Sequence, residues 1–599
     1  MSVLMKRWRH TCLIILGICS GCLPVFAATE QSVVITPDFH HLRNAEPREW
    51  SHFPEKAEGS SLTFHFDLPN PEAYQLLTLR QVSVKPVWEV HLNGTKIGNL
   101  DRDHNDLELA LAVPSGLLWP SGNSLEIFTK SQVPNDIRVG EIQLHTQSRE
   151  VLTGSVTVSV RVTEKGESGL IPCRLTIVDA DRGTLPLLGA KSDDRLAVRS
   201  GIIYTLDGQA EFGLKPGNYK LWAGRGFEYS ITEKSFTVKA GERLDLDLEI
   251  IREVDTTGLV ACDTHLHTYE FAKHGDCTLT ERIVTLAGEG IELPISTEHN
   301  QHIDYAAEAK RLGADRFYTP VIGCEVTTRE GHFNTFPIQA GATPNAHKEL
   351  PWAKVFENIY ATPGVRVAIL NHARDVHGGF RPFDPTNFDA VAGVFTDGRL
   401  LKANGLELIN SGAQQSDPMQ LVRDWMALLR SGHKIAGVGS SDSHTVNFAI
   451  VGQARTYLLC NDSDPSDIDV DAAVQSFLNG NTSVSFGLLT LIEQRGDKVT
   501  VKVLGPSWTT ANKLTLFANG KAIDELKIPV ASGSRPNLKF EKSWDLDELN
   551  LEPGSFLVAV AEGPGISEPY WPMMPPYQPS SDKYEPFVMG ISKALWIEE

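Results

Sequence analysis

The chain begins with two long stretches in which apolar and polar positions alternate with period two. Between residues 28 and 149 the segments Ser61-Leu-Thr-Phe-His-Phe-Asp67, Val87-Trp-Glu-Val-His-Leu92 and Ser124-Leu-Glu-Ile-Phe128 read as strands, and Asn93-Gly94 between such runs is a hairpin turn. One face of each strand enters a core and the other meets water, which predicts a β-sandwich. Residues 150–255 repeat the grammar in Ser155-Val-Thr-Val-Ser-Val-Arg-Val162 and Leu244-Asp-Leu-Asp-Leu-Glu-Ile250, predicting a second β-module.

At residue 256 the period changes. Short apolar runs without alternation (258–262, 293–296, 321–324, 367–370, 406–409 and 435–438) are interspersed with helical patterns over 278–287, 304–311 and 419–430. Buried strands separated by helices predict a β/α architecture with parallel strands over 256–487. Counted from Thr280, the first helix has Ile283 at the third position and so lacks a full capping box. Alternation returns after 488, in Lys498-Val-Thr-Val-Lys-Val503 and Phe556-Leu-Val-Ala-Val-Ala561, and predicts a small C-terminal β-domain over 488–599. Its aromatic, proline-rich stretch from Tyr570 to Tyr577 is expected to pack on a neighbouring domain.

Charge and the N-terminus narrow the partners. Lys6, Arg7 and Arg9 precede an apolar stretch from Cys12 to Cys22, and Val25-Phe26-Ala27 is a small-x-small site, so residues 1–27 read as a cleaved signal peptide. A lipid anchor at Cys22 is the alternative, without the usual aliphatic residue three places upstream. The expected product is periplasmic or secreted, with no integral membrane segment after cleavage. A formal net charge of −20 without a basic run repels polyphosphate and argues against a nucleic-acid partner. The five cysteines beyond the signal have no regular spacing and are expected to be thiols.

Histidine carries the chemistry. Eleven of the nineteen fall between His265 and His444, and most predicted strands of this region end in potential ligands. These are Asp263-Thr-His-Leu-His267, Glu298-His299-Asn300, Glu325, Asn371-His372 and Asp442-x-His444. Histidines two apart on a strand project to one side, and in β/α folds the C-terminal strand ends converge on one mouth. Imidazoles and carboxylates without a cysteine motif suit Zn, Mn or Fe, and so many ligands imply two or three divalent ions. His302, His347, His377 and His433 read as surface residues or as supports to the ligands. Arg329 and Arg374 flank ligands and suit either an anionic substrate oxygen or neutralisation of a carboxylate-rich rim.

The ordered set Asp263-Thr-His-Leu-His267, Thr297-Glu-His-Asn300, Gly323-Cys-Glu325, Gly331-His332-Phe-Asn, Asn371-His372, Glu407-Leu-Ile-Asn410 and Gly439-Ser-Ser-Asp442-Ser-His444 resembles the polymerase and histidinol phosphatase (PHP) metallohydrolases. The run from Glu325 to Asn334 is similar to the branch with carbamate hydrolases of the CehA/McbA type. The resemblance implies a distorted (β/α)7 barrel with up to three metals. His265, His267, Glu325 and Asp442 would hold one ion, Glu325 would bridge to another on His332 and His372, and His299 with His444 would hold a further one. His274 or Asp276 would supply an additional ligand. Two shorter likenesses concern the flanking modules. Residues 90–98 and 122–127 resemble jelly-roll, galactose-binding-like modules, and Leu214–Trp222, with its Pro-Gly-x-Tyr, resembles immunoglobulin-like or regulatory-like domains.

The expected activity is water activation by a multinuclear metal site. Asp442 or a nearby histidine such as His444 would move the proton, Arg329 would grip the substrate, and Asn300 and Asn334 would orient imidazoles. The expected reaction is phosphoester hydrolysis, with carbamate, amide or ester hydrolysis as the alternative. The substrate would be a small molecule or oligosaccharide-linked. A secreted glycan-binding protein with a structural metal site is the reading from another class.

Overall fold

The structure, a computed structural model, describes residues 31–576 and 584–597. The signal segment expected over 1–27 lies outside the described residues. No helix among the described residues is long and apolar enough to cross a membrane.

The first module is two four-stranded antiparallel sheets packed face to face. One orders Ser32–Arg43, Asp136–His145, Leu76–Val82 and Leu107–Ala112; the other orders Ser61–Phe66, Asn123–Phe128, Glu89–Leu92 and Thr95–Asn99. Leu77, Trp88, Ile127 and Ile142 are buried between them. Asn93 and Gly94 both take positive φ (49° and 74°), the conformation a two-residue hairpin needs, and Leu92 pairs with Thr95 across it. In the second module the alternation of Val156, Val158, Val160 and Val162 faces a core shared by a three-stranded and a five-stranded sheet.

Residues 256–487 do not form the seven-stranded β/α barrel. The chain is 41% strand and 12% helix, too little helix for strict alternation. The expected barrel strands divide between two sheets. Leu259–Leu266, Leu293–Ser296 and Val321–Ile322 run parallel at one side of a thirteen-stranded sheet, and Arg455–Leu459 joins Leu259–Leu266 antiparallel. Cys324–Thr328, Gly331–Phe336, Val367–Asn371, Gly405–Asn410 and Ala436–Ser440 make a separate five-stranded sheet. Two local features prevent the regular winding. Cys324–Thr328 and Gly331–Phe336 are a tight antiparallel hairpin with no helix between them, and after Ser440 the chain returns antiparallel. The C-terminal strands are not a separate sheet either. They continue the thirteen-stranded one through Thr482–Phe486, Phe587–Ile591 and Phe556–Pro564.

The two sheets share a core of Val260, Cys262, Ile295, Val367, Ile369, Val438 and Phe477. The helix Leu279–Gly288 does open with a capping box, set by Thr278 rather than Thr280. Glu281 N–H donates to the Thr278 hydroxyl (3.3 Å), and Thr278 N–H donates to Glu281 Oε2 (2.9 Å). Cys173, Cys262, Cys277 and Cys324 are buried thiols and Cys460 is half-buried. Trp571, from the proline-rich stretch, is buried against Trp508, ring centroids 4.8 Å apart.

The modules are tied to the histidine-rich region by charged and polar contacts. Arg199, in the second module, donates to Asp276 Oδ2 (2.9 Å), the Asp276 carbonyl (2.7 Å) and Glu281 Oε1 (2.8 Å). Arg174, in the same module, instead reaches the C-terminal part of the chain, donating to the Tyr570 carbonyl (2.7 Å). Burial opposes the charge of Glu281, and Arg199 more than offsets it, holding the carboxyl below its ordinary value. Arg199→Ala leaves that buried carboxylate uncompensated and is expected to cost about 2 kcal/mol. A thermal melt should show the loss as a Tm lowered by several degrees, and an unchanged Tm would mean that this contact does not hold the modules together.

Candidate metal centre

The strand Leu259–Leu266 delivers His265 and, just past its end, His267 to one side, both wholly buried. Their register is pinned by Asp263, which accepts N–H bonds from His265 (3.1 Å), Ser441 (3.1 Å) and Gly452 (2.8 Å). Glu325 enters from the start of the hairpin Cys324–Phe336, His332 from its second strand, and His372 from the end of Val367–Asn371. Asp442 and His444 follow Ala436–Ser440. Asn300, His372 and Asp442 take positive φ (53°, 25° and 51°), so three ligand-bearing turns sit in a region non-glycine residues avoid. Strain of order 1–3 kcal/mol per residue persists where the surroundings impose it, and it gathers at functional sites.

The donors around Asp442 are spaced as the corners of a metal cage. His265 Nε2 lies 3.2 Å from Asp442 Oδ1 and 3.4 Å from Glu325 Oε1. His267 Nε2 lies 3.4 Å from Asp442 Oδ1 and 3.7 Å from Glu325 Oε2. Tetrahedral ligands about 2.1 Å from an ion stand roughly 3.4 Å apart. His265 Nδ1 donates to Glu407 Oε1 (2.6 Å), so the neutral ring turns a lone pair toward two carboxylate oxygens. Only a proton or a cation makes that arrangement favourable. Burial disfavours charge on His265, yet Asp442, Glu407 and Glu325 hold its pKa well above the ordinary value.

Glu325 faces two ways. Oε1 is 2.9 Å from His332 Nδ1 and 3.6 Å from His372 Nε2, while Oε2 is 2.5 Å from His299 Nδ1. Two further triples lie close enough to share an ion: His267, His299 and His444; and His332, His372 and His377. In the first of these the His267 ring stacks on His444 and His299, centroids 4.1 and 4.4 Å apart. Burial and then neighbouring imidazoles push His267 and His444 well below the ordinary imidazole range, so both rings are neutral. Both nitrogens of His267, and Nε2 of His265, His377 and His444, are buried without a hydrogen-bond partner. Each such orphan costs about 1–3 kcal/mol. The residues therefore fit divalent cations: neutral imidazoles at His267 and His444, carboxylates that draw positive charge onto His265, and unpartnered nitrogens aimed at common points.

Eight of the residues singled out in the sequence come together here: His265, His267, His299, Glu325, His332, His372, Asp442 and His444. His274 borders them. Its ring stacks on His444 at 4.3 Å, and Nδ1 donates to the Ala272 carbonyl (2.9 Å), which leaves Nε2 as a lone pair. Gly275 (φ +82°) lets that loop pass, because a Cβ there would collide with the His444 carbonyl.

Several expectations are corrected. The Asp276 carboxylate is taken by Arg199 and by the Val446 N–H (2.9 Å), so it is not the additional ligand. Arg329 is exposed along Gly378, and the cleft is lined without it. Arg374 makes a two-pronged pair with Asp424 (2.9 and 2.8 Å). Asn300 and Asn334 hold backbone rather than imidazoles, accepting from Thr327 N–H (3.1 Å) and donating to the Thr264 carbonyl (2.8 Å). The orienting is done by Glu407 on His265, by Thr327 Oγ1 at 2.8 Å from His299 Nδ1, and by the Asp442 carbonyl on His444 (2.9 Å). His377 was missed as a candidate ligand. Buried, with its ring 4.3 Å from His332, it lies five residues after His372 on an irregular loop where no periodicity points inward.

The donors open onto a cleft of about 490 Å³. No family model matches the chain, and no curated protein matches it. Among solved structures it is similar to a glycosyl hydrolase family 2 member from Bacteroides cellulosilyticus DSM 14838 (10% identity, 89% of this chain and 83% of that one, TM-score 0.17). It is also similar to an FMN-binding beta-glucuronidase from Facaelibacterium prausnitzii L2-6 (11%, 91% and 100%, TM-score 0.18) and to BcpA, the major pilin subunit of Bacillus cereus (8%, 36% and 70%, TM-score 0.12). TM-scores this low carry no argument about fold or activity.

Proposed function

We propose that the chain is an exported metal-dependent hydrolase of the PHP type, cutting a phosphoester with two or three divalent ions (Zn, Mn or Fe). The observation that carries the reading is Glu325, whose two carboxylate oxygens face different groups of imidazoles. His265, His267, Asp442 and Glu325 would hold one ion; Glu325 with His332, His372 and His377 a second; His299 and His444, with His274 beside them, a third. When bound, such ions polarise a substrate oxygen and lower the pKa of water far enough for attack near neutrality.

The protein's own groups do the rest. Asp442, side chain 14% exposed at the cleft floor, is the carboxylate placed to take the proton of the attacking water, and Asn410 Nδ2 holds its Oδ2 at 3.2 Å. Glu407 fixes the His265 ring and, through Oε2, accepts the His372 N–H (2.7 Å). Burial alone would raise its pKa; His265 and His372 bring it down to about 2, so it stays an anion at any working pH.

The carbamate, amide or ester alternative draws support from a different observation. Neither Arg329 nor Arg374 reaches the cleft, so the expected grip on a phosphoryl oxygen is missing from this region. The reading as a glycan-binding protein with purely structural metals is disfavoured by the open cleft, because structural sites are closed.

Elemental mass spectrometry of the mature protein should find two or three divalent ions per chain. A panel of phosphomonoesters, phosphodiesters and an aryl carbamate should show one class turned over, with activity reduced at least a thousandfold in His265→Ala. A metal-free chain that cleaves nothing would sink the hydrolase reading. Glu407→Gln keeps the size of the side chain but removes the charge behind His265. It should weaken metal retention in a chelator competition by about 10- to 100-fold, and equal retention would show that Glu407 does not support the ligand.

A further inference from the structure

One wall of the cleft comes from outside residues 256–487. Asn99, Leu100, Asp101, Arg102 and Asp103, in the loop leaving the strand Thr95–Asn99 of the N-terminal sandwich, line the same space as His299, His332 and Asp442. The loop is anchored at both sides. Asp101 N–H donates to Gln81 Oε1 (2.9 Å) and Gln81 Nε2 donates to the Asp101 carbonyl (2.6 Å), which fastens it to its own sheet. Across the cleft edge, buried Asp103 accepts from the side-chain amide of Asn447, three residues past His444, and His104 packs edge-on against Phe448 with centroids 6.0 Å apart. The segment that carries His444 and the loop of the sandwich are therefore one packed unit.

Arg102 sits between those anchors. It is exposed, its Nε donates to the Lys85 carbonyl (2.8 Å), and it makes no ion pair among the described residues. That single bond orients the guanidinium and leaves both terminal nitrogens for a ligand. The other arginine on the cleft, Arg199, is spent on Asp276 and Glu281. Of the acidic residues on these walls, Asp103 is engaged by Asn447, Asp276 by Arg199 and Asp375 by Gln415 Nε2 (3.1 Å); Asp101 is exposed next to Arg102. A guanidinium presents paired N–H donors that match a carboxylate or phosphoryl group. Half-buried Phe448 adds apolar surface to the same cleft, backed by the buried Leu100 and Leu107, and the space is several times what inorganic phosphate alone would fill.

We propose that Arg102 binds the anionic oxygen of the substrate, and that the sandwich loop 99–107 selects for an anionic ester with an apolar organic group. This rests on the hydrolase reading above, and supplies from another module the cation that Arg329 and Arg374 do not.

The test uses the full-length mature protein loaded with metal, with Arg102→Ala and Arg102→Lys. Against an anionic aryl phosphodiester and a neutral aryl ester, the ratio of kcat/KM values should fall about tenfold in Arg102→Ala. The change should lie in KM for the anionic substrate, and Arg102→Lys should recover part of it. An unchanged ratio would overturn the assignment. Should the wild type turn over nothing, the hydrolase reading fails by itself, and inorganic phosphate binding by calorimetry then decides Arg102. About tenfold weaker binding in Arg102→Ala supports the assignment; equal affinity, or no binding by the wild type, overturns it.

Discussion

A single carboxylate organises this molecule. Glu325 is buried within reach of His265, His267, His299, His332 and His372, and a lone anion at that depth would cost several kcal/mol. Burial would raise its pKa, yet the surrounding imidazoles hold it well below the ordinary value. The imidazoles are constrained in turn. Packed ring on ring, they cannot all carry protons, and His267 and His444 are driven neutral by burial and by each other. Against burial, the carboxylates push His265, His299 and His372 up while His267 and His444 are pushed down. Donors so opposed, turned to shared points, make an environment that divalent cations stabilise and that protons satisfy only in part.

The elements around Glu325 are shaped to bring those groups in. It stands at the start of a tight hairpin, so His332 on the second strand returns to the same carboxylate seven residues later. Gly323, just before it, has no room for a Cβ between Ile295, Ser296 and Thr335, and there the chain crosses from one sheet to the other. Glu407 reaches past the donors to hold both the His265 ring and the His372 backbone. These supports are local and dense, which is how positive φ at His372 and Asp442 can be sustained.

Much of the centre was legible because strand ends carry it. The two-residue spacing of His265 and His267, and the placing of His299, Glu325, His372 and Asp442 after apolar runs, reflect short-range geometry that a sequence displays directly. The division of these strands between two sheets was not legible in the same way. Runs such as 321–324 and 367–370 look alike whether their partners are parallel or antiparallel, and only the hairpin at Arg329-Glu330 and the reversal after Ser440 decide. Asp276 shows the other limit. It follows His267 at a longer spacing than the family resemblance leads one to expect, which leaves His274 and Asp276 as alternatives in the sequence, and Arg199, seventy-seven positions away, claims the carboxylate. His377 and Arg102 enter the site from irregular loops, where nothing periodic marks which side chains turn inward.

The departure from a closed barrel also gives the flanking modules a physical role. The regular ladder narrows at Gly323 and between Ser440 and Arg455 to the single bridges His299–Glu325 and Leu266–Ser443. The His274 loop is joined to His444 through the N–H groups of Asp276 and Cys277 (3.0 and 3.2 Å to the His444 carbonyl), so few backbone bonds hold these segments. Those are the segments the two N-terminal modules grip. Arg199 fixes Asp276, two residues from His274, and Asp103 fixes Asn447, three from His444. The Asp103–Asn447 contact is buried and the Arg199–Asp276 contact is exposed, but both are directional, so they set position as well as proximity. Modules that only tethered the protein to a polysaccharide would have no reason to place their bonds at the ligand-bearing turns. In this chain the sandwich and its neighbour complete the wall and hold the turns of a site whose donors lie in another part of the sequence.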